Sequence, residues 1–136
     1  LFASSSNILR IIKHNHPEII TKTIPGISSL SAAAAINDFD LVKKGETLII
    51  KECPSSNTEL KSLIGQSRRN KTVLALMKVG KRWNLVRDTL NKEDIIKKSL
   101  IALNVGMDDQ IIQYASQYKK DVMPYFSLIL IRFHNE

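Results

Sequence analysis

The sequence predicts an α/β fold, a mixed sheet with flanking helices, and three observations support this prediction. Apolar segments rich in β-branched residues alternate with segments whose apolar residues recur at helical spacing. The strongly apolar segments 72–79 and 99–105 each end directly before a glycine. The last predicted strand, 125–133, is apolar at nearly every position and follows no clear helix. We therefore expect this strand to be covered on both faces and to run antiparallel within the sheet.

The first part of the chain predicts a helix followed by a strand. Ser6 or Asn7 can cap a helix whose apolar residues share one face. Pro17 ends this helix, because the residue before a proline is biased away from helical geometry. Residues 18–24 are rich in β-branched side chains, which are typical of a strand.

A turn and a second helix are predicted next. The Pro-Gly pair at 25–26 forms the turn, and Ser28 or Ser29 caps a helix through the alanine run 32–35. We expect this helix to end near residues 37–38. Its small side chains let it lie close against a sheet or a ligand.

The remaining elements follow a polar linker at residues 40–45. They are, in chain order, a strand at 46–51, a short helix at 58–64, the strand 72–79, a helix beginning near Trp83, the strand 99–105, a short strand at 109–113 and the strand 125–133.

Composition limits the possible functions only loosely. The chain has 136 residues, a net charge of +7 and a pI of about 9.6, so its surface attracts polyanions such as nucleic acid, an acidic membrane face or a polycarboxylate. The densest basic cluster, Arg68, Arg69 and Lys71, is interpreted as a solvated loop. Aromatic residues make up only 6% of the chain, fewer than a single-strand binder needs for stacking. The lone cysteine, Cys53, favours a reducing compartment, and we expect a cytoplasmic protein.

No residue pattern by itself predicts a catalytic or metal site. His14, His16 and His134 are scattered, without cysteine or carboxylate partners at zinc-ligand spacing, so no metal site is expected. Nothing marks a base beside Cys53, which is expected to be a buried or half-buried thiol. Phosphate-binding loops and dinucleotide glycine fingerprints do not occur in the sequence.

Four segments together resemble the tetrapyrrole methylase superfamily. The Pro-Gly turn with its alanine-rich helix, 24–35, is similar to the family's turn and helix of this composition. Segments 76–80, 104–112 and 123–128 resemble the branch that methylates C20 of precorrin-2, and they occur in the right order with suitable gaps. The resemblance implies an S-adenosylmethionine-dependent C-methyltransferase of cobalamin biosynthesis, with two α/β domains and the cofactor in the cleft between them.

The resemblance also implies how the chain divides. Residues 1–41 resemble the C-terminal part of the first domain, and residues 42–136 resemble the complete second domain. In the family, a Gly-Asp-Pro turn of the cofactor site would directly precede Leu1. We therefore expect a C-terminal fragment that is inactive alone and a homodimer when full length.

Site residues are carried over from the resemblance by position. Ser28 and Ser29 stand at a family cofactor contact, where helix amides and hydroxyls can bind a carboxylate. Met77 and Gly106 match two further cofactor contacts, and Phe2 is expected to line the site from the first domain.

Substrate contacts are expected at Lys78, Lys81 and Arg82, because cations suit a tetrapyrrole with many carboxylates. The implied reaction is attack of a ring carbon on the sulfonium methyl, which leaves S-adenosylhomocysteine. The residue that removes the proton is not identified, and neither is the presence of cobalt in the substrate.

Other functions stay open at this point. The chain could be a methylase for another corrin carbon, for uroporphyrinogen III, or for a protein or RNA target. A basic nucleic-acid-binding module would show salt-sensitive binding to DNA or RNA. We expect a tetrapyrrole partner and neither a nucleic acid nor a membrane.

Overall fold

Helices pack on both faces of a five-stranded mixed sheet in the computed structural model, which describes residues 4–133. The predicted α/β fold with a mixed sheet is confirmed. The helices are α1 (Ser4–Asn15), α2 (Ser29–Ile36), α3 (Asn57–Arg69) and α4 (Trp83–Lys92). The strands are β1 (Thr47–Glu52), β2 (Thr72–Met77), β3 (Ser99–Leu103), β4 (Ile111–Tyr114) and β5 (Ser127–Ile131).

The strand order is β1-β2-β5-β3-β4, which places the last strand in the middle of the sheet. β1 and β2 pair in parallel, whereas β5 pairs antiparallel with both β2 and β3. The predicted antiparallel last strand is thus confirmed. Because β1, β2 and β3 run in the same direction, their carboxyl ends lie at one edge of the sheet, next to the start of β5.

Two hydrophobic clusters cover the two faces of the sheet. α3 and α4 cover one face, where their apolar side chains pack against Leu74, Leu76 and Ile129. α2 covers the other face through Leu30 and its alanines, which contact a sheet surface lined partly by alanines. Small side chains on both partners let α2 approach the sheet closely, as its composition predicted.

The α2 cap follows the sequence prediction. Ser28 is the N-cap residue, and its Oγ accepts a hydrogen bond from the backbone N–H of Ser31 at 3.2 Å. This bond satisfies one of the amides that the first turn of a helix leaves without a partner.

The predicted strand at 18–24 is wrong. These residues form no regular element, and Ile20 and Ile24 are 98% and 81% exposed. Strand propensity needs a neighbouring strand to be realised, and no strand in the part of the chain that the structure describes pairs with this segment.

Two of the three residues of the basic cluster lie in a helix rather than in a loop, and Lys71 lies in the turn that follows the helix. The predicted helix 58–64 continues as α3 through Arg69, so Arg68 and Arg69 occupy its last turn. Cations there interact favourably with the negative end of the helix dipole. Arg68 also pairs with Glu93, 3.4 Å away.

Within residues 4–133, none of the helices has the length and apolar character needed to cross a bilayer. The same residues contain no group of three or more histidine, cysteine or acidic side chains that could hold a metal ion.

Candidate functional site

A cavity of about 510 Å³ opens at the sheet edge where the carboxyl ends of the parallel strands meet. In open α/β sheets, ligands bind at this edge. The volume lies within the usual range for small-molecule sites, roughly 300–1,000 Å³. The lining is mainly apolar and includes Ser29, Glu52, Met77, Lys78, Val105, Met107, Tyr125, Phe126 and Ser127.

The amino end of α2 forms one wall of the cavity. Ser29 lines the cavity, and Ser28 stands directly before it as the N-cap. The Ser28 hydroxyl is engaged with Ser31, whose N–H and Oγ lie 3.2 and 3.1 Å away. Of the two predicted serines, Ser29 lines the cavity, whereas Ser28 caps the helix.

The end of β2 supplies two lining residues predicted from the sequence. Met77 is half-buried, and its carbonyl accepts a hydrogen bond from the Cys53 N–H at 2.8 Å. Lys78 follows with a φ of 56°, in the left-handed region. The backbone therefore leaves the direction of the strand at the cavity wall.

The loop around Gly106 is held by side-chain hydrogen bonds. Gly106 has a φ of 83°, and its N–H donates to Gln110 Oε1 at 2.8 Å. Asn104 Nδ2 donates to Asp109 Oδ2 at 2.6 Å. Gly106 lies between two lining residues, Val105 and Met107. The loop is thus ordered next to the cavity, and a glycine suits the turn that it makes.

The three predicted substrate contacts do not lie together. Lys78 lines the cavity. Arg82 does not line it, but Arg82 and Lys78 share one ionic partner, Glu52. Lys81 is exposed and is not among the lining residues. Phe2 lies outside the described residues.

Sequence reasoning assigned no role to several lining residues. Tyr125 and Phe126 form a T-shaped pair with ring centroids 5.2 Å apart, and both are more than half exposed. They lie in the segment 123–128, which was matched only as the entry to a strand. Glu52 carried no sequence signal, because its neighbours come from other parts of the chain.

Cys53 is buried, as predicted. Burial raises the pKa of its thiol to about 11, although the nearby Arg82 opposes this rise. The thiol is therefore protonated at neutral pH and is not poised as a nucleophile.

Ser127 joins β5 to the turn that follows β2, and its replacement by alanine is expected to destabilise the fold. Ser127 Oγ accepts a hydrogen bond from the buried Gly80 N–H at 2.7 Å. Ser127→Ala leaves that amide without its partner, which costs about 1–3 kcal/mol. Urea denaturation measures this loss. Ser62→Ala, at an exposed helix position, is the control and should change stability by less than about 0.5 kcal/mol. Equal stabilities of the two variants would contradict the role of Ser127.

Family comparison identifies the class of protein. Residues 1–117 match the model of the tetrapyrrole (corrin/porphyrin) methylases. The match spans most of the chain, and the chain belongs to this family. A search of curated proteins finds no match.

Solved structures show the same fold at low sequence identity. The cobalt precorrin-4 methyltransferase CbiF is 14% identical with a TM-score of 0.65, over 98% of this chain and 59% of that chain. The methyltransferase CobJ is 19% identical with a TM-score of 0.60, over 97% and 59%. Uroporphyrin-III C-methyl transferase from Thermus thermophilus, complexed with S-adenyl homocysteine, is 13% identical with a TM-score of 0.52, over 96% and 60%. The chain thus spans about three fifths of the length of these proteins.

Proposed function

We propose that this chain is the C-terminal part of an S-adenosylmethionine-dependent C-methyltransferase that acts on C20 of precorrin-2 or cobalt-precorrin-2. The family match and the fold support a tetrapyrrole methylase. The assignment to C20 rests on the resemblance of segments 76–80, 104–112 and 123–128 to that branch.

The observation that carries the proposal is the cavity. Ser29 and Met77, which the resemblance assigns to cofactor contacts, come from separate elements and line one space together with Lys78, the substrate contact expected from its charge. Packing brings them together at the sheet edge where ligands of open α/β folds bind.

The cavity suits the parts of S-adenosylmethionine, which supplies an electrophilic methyl group when bound. Met77 and Met107 are polarizable side chains that can lie against an aromatic base. Backbone amides at the start of α2, next to Ser29, can donate hydrogen bonds to a carboxylate. Aligning the methyl donor with the ring carbon and excluding water supply much of the rate gain in such a transfer, so no nucleophilic side chain is required.

The proposed domain division follows from the same resemblance. Residues 1–41 belong to the end of a first domain, and residues 42–136 form the second. The full-length enzyme is then a cytoplasmic homodimer whose first domain completes the cleft, and the resemblance assigns Phe2 to that side of the cleft.

Calorimetric titration with S-adenosylhomocysteine tests the cofactor site. The wild-type chain is expected to bind, and Met77→Arg is expected to weaken binding at least about tenfold, because a long cation fills an apolar wall of the cavity. Val122→Arg is the matched control, since Val122 is 67% exposed and does not line the cavity. No binding by the wild-type chain, or equal affinity of all three proteins, would count against a cofactor site on this chain.

Another tetrapyrrole methylase is the second candidate. Two structures whose names give different tetrapyrroles, cobalt precorrin-4 and uroporphyrin III, are 14% and 13% identical to this chain. The methylated ring carbon, located by NMR after the full-length enzyme is incubated with S-adenosylmethionine and either precorrin-2 or uroporphyrinogen III, separates the two candidates.

A further inference from the structure

Glu52 is the only acidic residue among those that line the cavity in the described chain. It ends β1 and is paired in register with Met77 of β2, so it lies next to Lys78. Its carboxylate lies 3.5 Å from Lys78 Nζ and 3.6 Å from Arg82 Nη1. One acid therefore sits between two of the cations that were predicted to bind substrate carboxylates.

Both contacts of Glu52 are long for ion pairs. Charge-assisted hydrogen bonds of this kind are usually about 2.7–2.9 Å. Within the same protein, Lys51 lies 2.8 Å from Glu59, and Arg87 lies 2.9 Å from Asp121. The Glu52 side chain is also 58% exposed. Such a solvent-accessible pair is worth little, about 0–1 kcal/mol, and is easily exchanged for another partner.

The two cations differ in how firmly they are held. Arg82 Nη1 donates to the Cys53 carbonyl at 2.7 Å, which fixes the guanidinium against the protein. Among the contacts that the structure gives, Lys78 has Glu52 as its ionic partner, and its side chain is 45% exposed. An incoming anion can therefore take Lys78 from Glu52 while Arg82 stays in place and keeps Glu52 partly neutralised.

We infer that Glu52 is a displaceable counter-ion that holds Lys78 at the cavity wall and weakens the binding of polycarboxylate ligands until one of them replaces it. This inference rests on the proposed function, because it assigns the ligand class of the same cavity. An anion with several carboxylates is a better competitor than a single carboxylate, because one carboxylate can replace Glu52 at Lys78 while another contacts Arg82 nearby.

Binding of uroporphyrin III, a stable tetrapyrrole with many carboxylates, tests the inference through the porphyrin's own fluorescence. Glu52→Gln is expected to tighten binding about two- to fivefold at low salt, because it frees Lys78 and keeps the shape of the side chain. Lys78→Met is expected to weaken binding. The double variant Glu52→Gln/Lys78→Met should show no gain over Lys78→Met alone, since the cation that Glu52 competes for is absent.

Asp121→Asn is the matched control. It removes the same charge from an exposed ion pair that does not line the cavity, so uroporphyrin affinity should stay within about twofold of wild type. Equal or weaker binding by Glu52→Gln, or no binding by any protein, overturns the inference. The proposed function is tested separately, by the titration with S-adenosylhomocysteine. Its failure would appear as an absence of S-adenosylhomocysteine binding, and this result does not depend on whether Glu52→Gln tightens uroporphyrin binding.

Discussion

Trp83→Ala is expected to cost about 3–5 kcal/mol of stability, a large part of the roughly 5–15 kcal/mol available to a domain. Trp83 is fully buried at the start of α4, in the cluster that covers one face of the sheet. Its Nε1–H donates to the Lys120 carbonyl at 3.0 Å, and its ring meets Tyr118 edge-on with centroids 5.7 Å apart. The change thus opens a cavity and leaves a carbonyl without its donor.

Trp83→Phe separates the packing from the hydrogen bond. Phenylalanine keeps much of the ring contact and loses the donor, so we expect a smaller cost of about 1–2 kcal/mol. Far-UV circular dichroism in urea measures both variants, because the protein has one tryptophan and its fluorescence is lost in each. A loss below about 1 kcal/mol for Trp83→Ala would contradict its place in the core.

Tyr118, which packs against Trp83, links the same cluster to the connection between β4 and β5. Burial raises the pKa of the Tyr118 hydroxyl, which stays protonated and donates to the Val122 carbonyl at 2.8 Å. The pair of rings therefore holds the connection between β4 and β5 against α4. Because β5 begins at the cavity, loss of this connection would also disturb the cavity's aromatic residues.

The buried strands could be predicted because their signal is local. β2, β3 and β5 are continuous apolar runs, and such runs are typical of strands covered on both faces. The segment 18–24 has a similar β-branched composition and forms no strand. Composition reports propensity, whereas a strand also needs a neighbour for its backbone hydrogen bonds. The position of β5 between β2 and β3 depends on such pairing and was not predicted.

Some residues of the candidate site could likewise be predicted from the sequence, whereas others became evident only from the fold. Met77 and Ser29 were predicted because motif resemblance assigns roles by position in the chain, and Lys78 was predicted because it is a cation directly after the strand. Glu52 acquires its place only when β1 pairs with β2, which brings it beside Lys78, 26 positions away in the sequence. Gln110 likewise was part of a matched motif, but its hydrogen bond to Gly106 became evident only from the folded loop.

Arg132 and Glu46 form the second feature with a large expected effect, at the sheet edge opposite the cavity. The Arg132 guanidinium donates to the Glu46 carboxylate and to the Asp40 carbonyl, and it lies over the Phe39 ring at 5.6 Å. Both charged side chains are largely buried, at 16% and 12% exposure. Glu46 also accepts the Lys43 N–H at 2.7 Å. The arginine thus ties the α2–β1 connection to the end of β5.

Glu46→Gln is expected to cost about 2–4 kcal/mol near neutral pH, because it leaves a mostly buried guanidinium without its counter-charge. Urea denaturation at about pH 7 measures the loss. Asp121→Asn, in an exposed pair where Asp121 is 76% exposed, is the control and should cost less than about 1 kcal/mol. Equal losses of unfolding free energy in the two variants would show that the buried Glu46–Arg132 pair stabilises the fold no more than an exposed ion pair does.

The cost of Glu46→Gln should also depend on pH. Burial acts to raise the pKa of the Glu46 carboxyl, but the Lys43 N–H and Arg132 outweigh it, so the pKa lies below its ordinary value of 4.5. A group whose pKa is lowered by folding contributes stability that is fully present above the unfolded-state pKa. That contribution is lost as the pH falls from about 4.5 through the folded-state pKa. The stability difference between wild type and Glu46→Gln should therefore be largest near neutral pH and should shrink as the pH falls below about 4.5. A difference that stays constant across this range would mean that the Glu46 charge does not stabilise the fold.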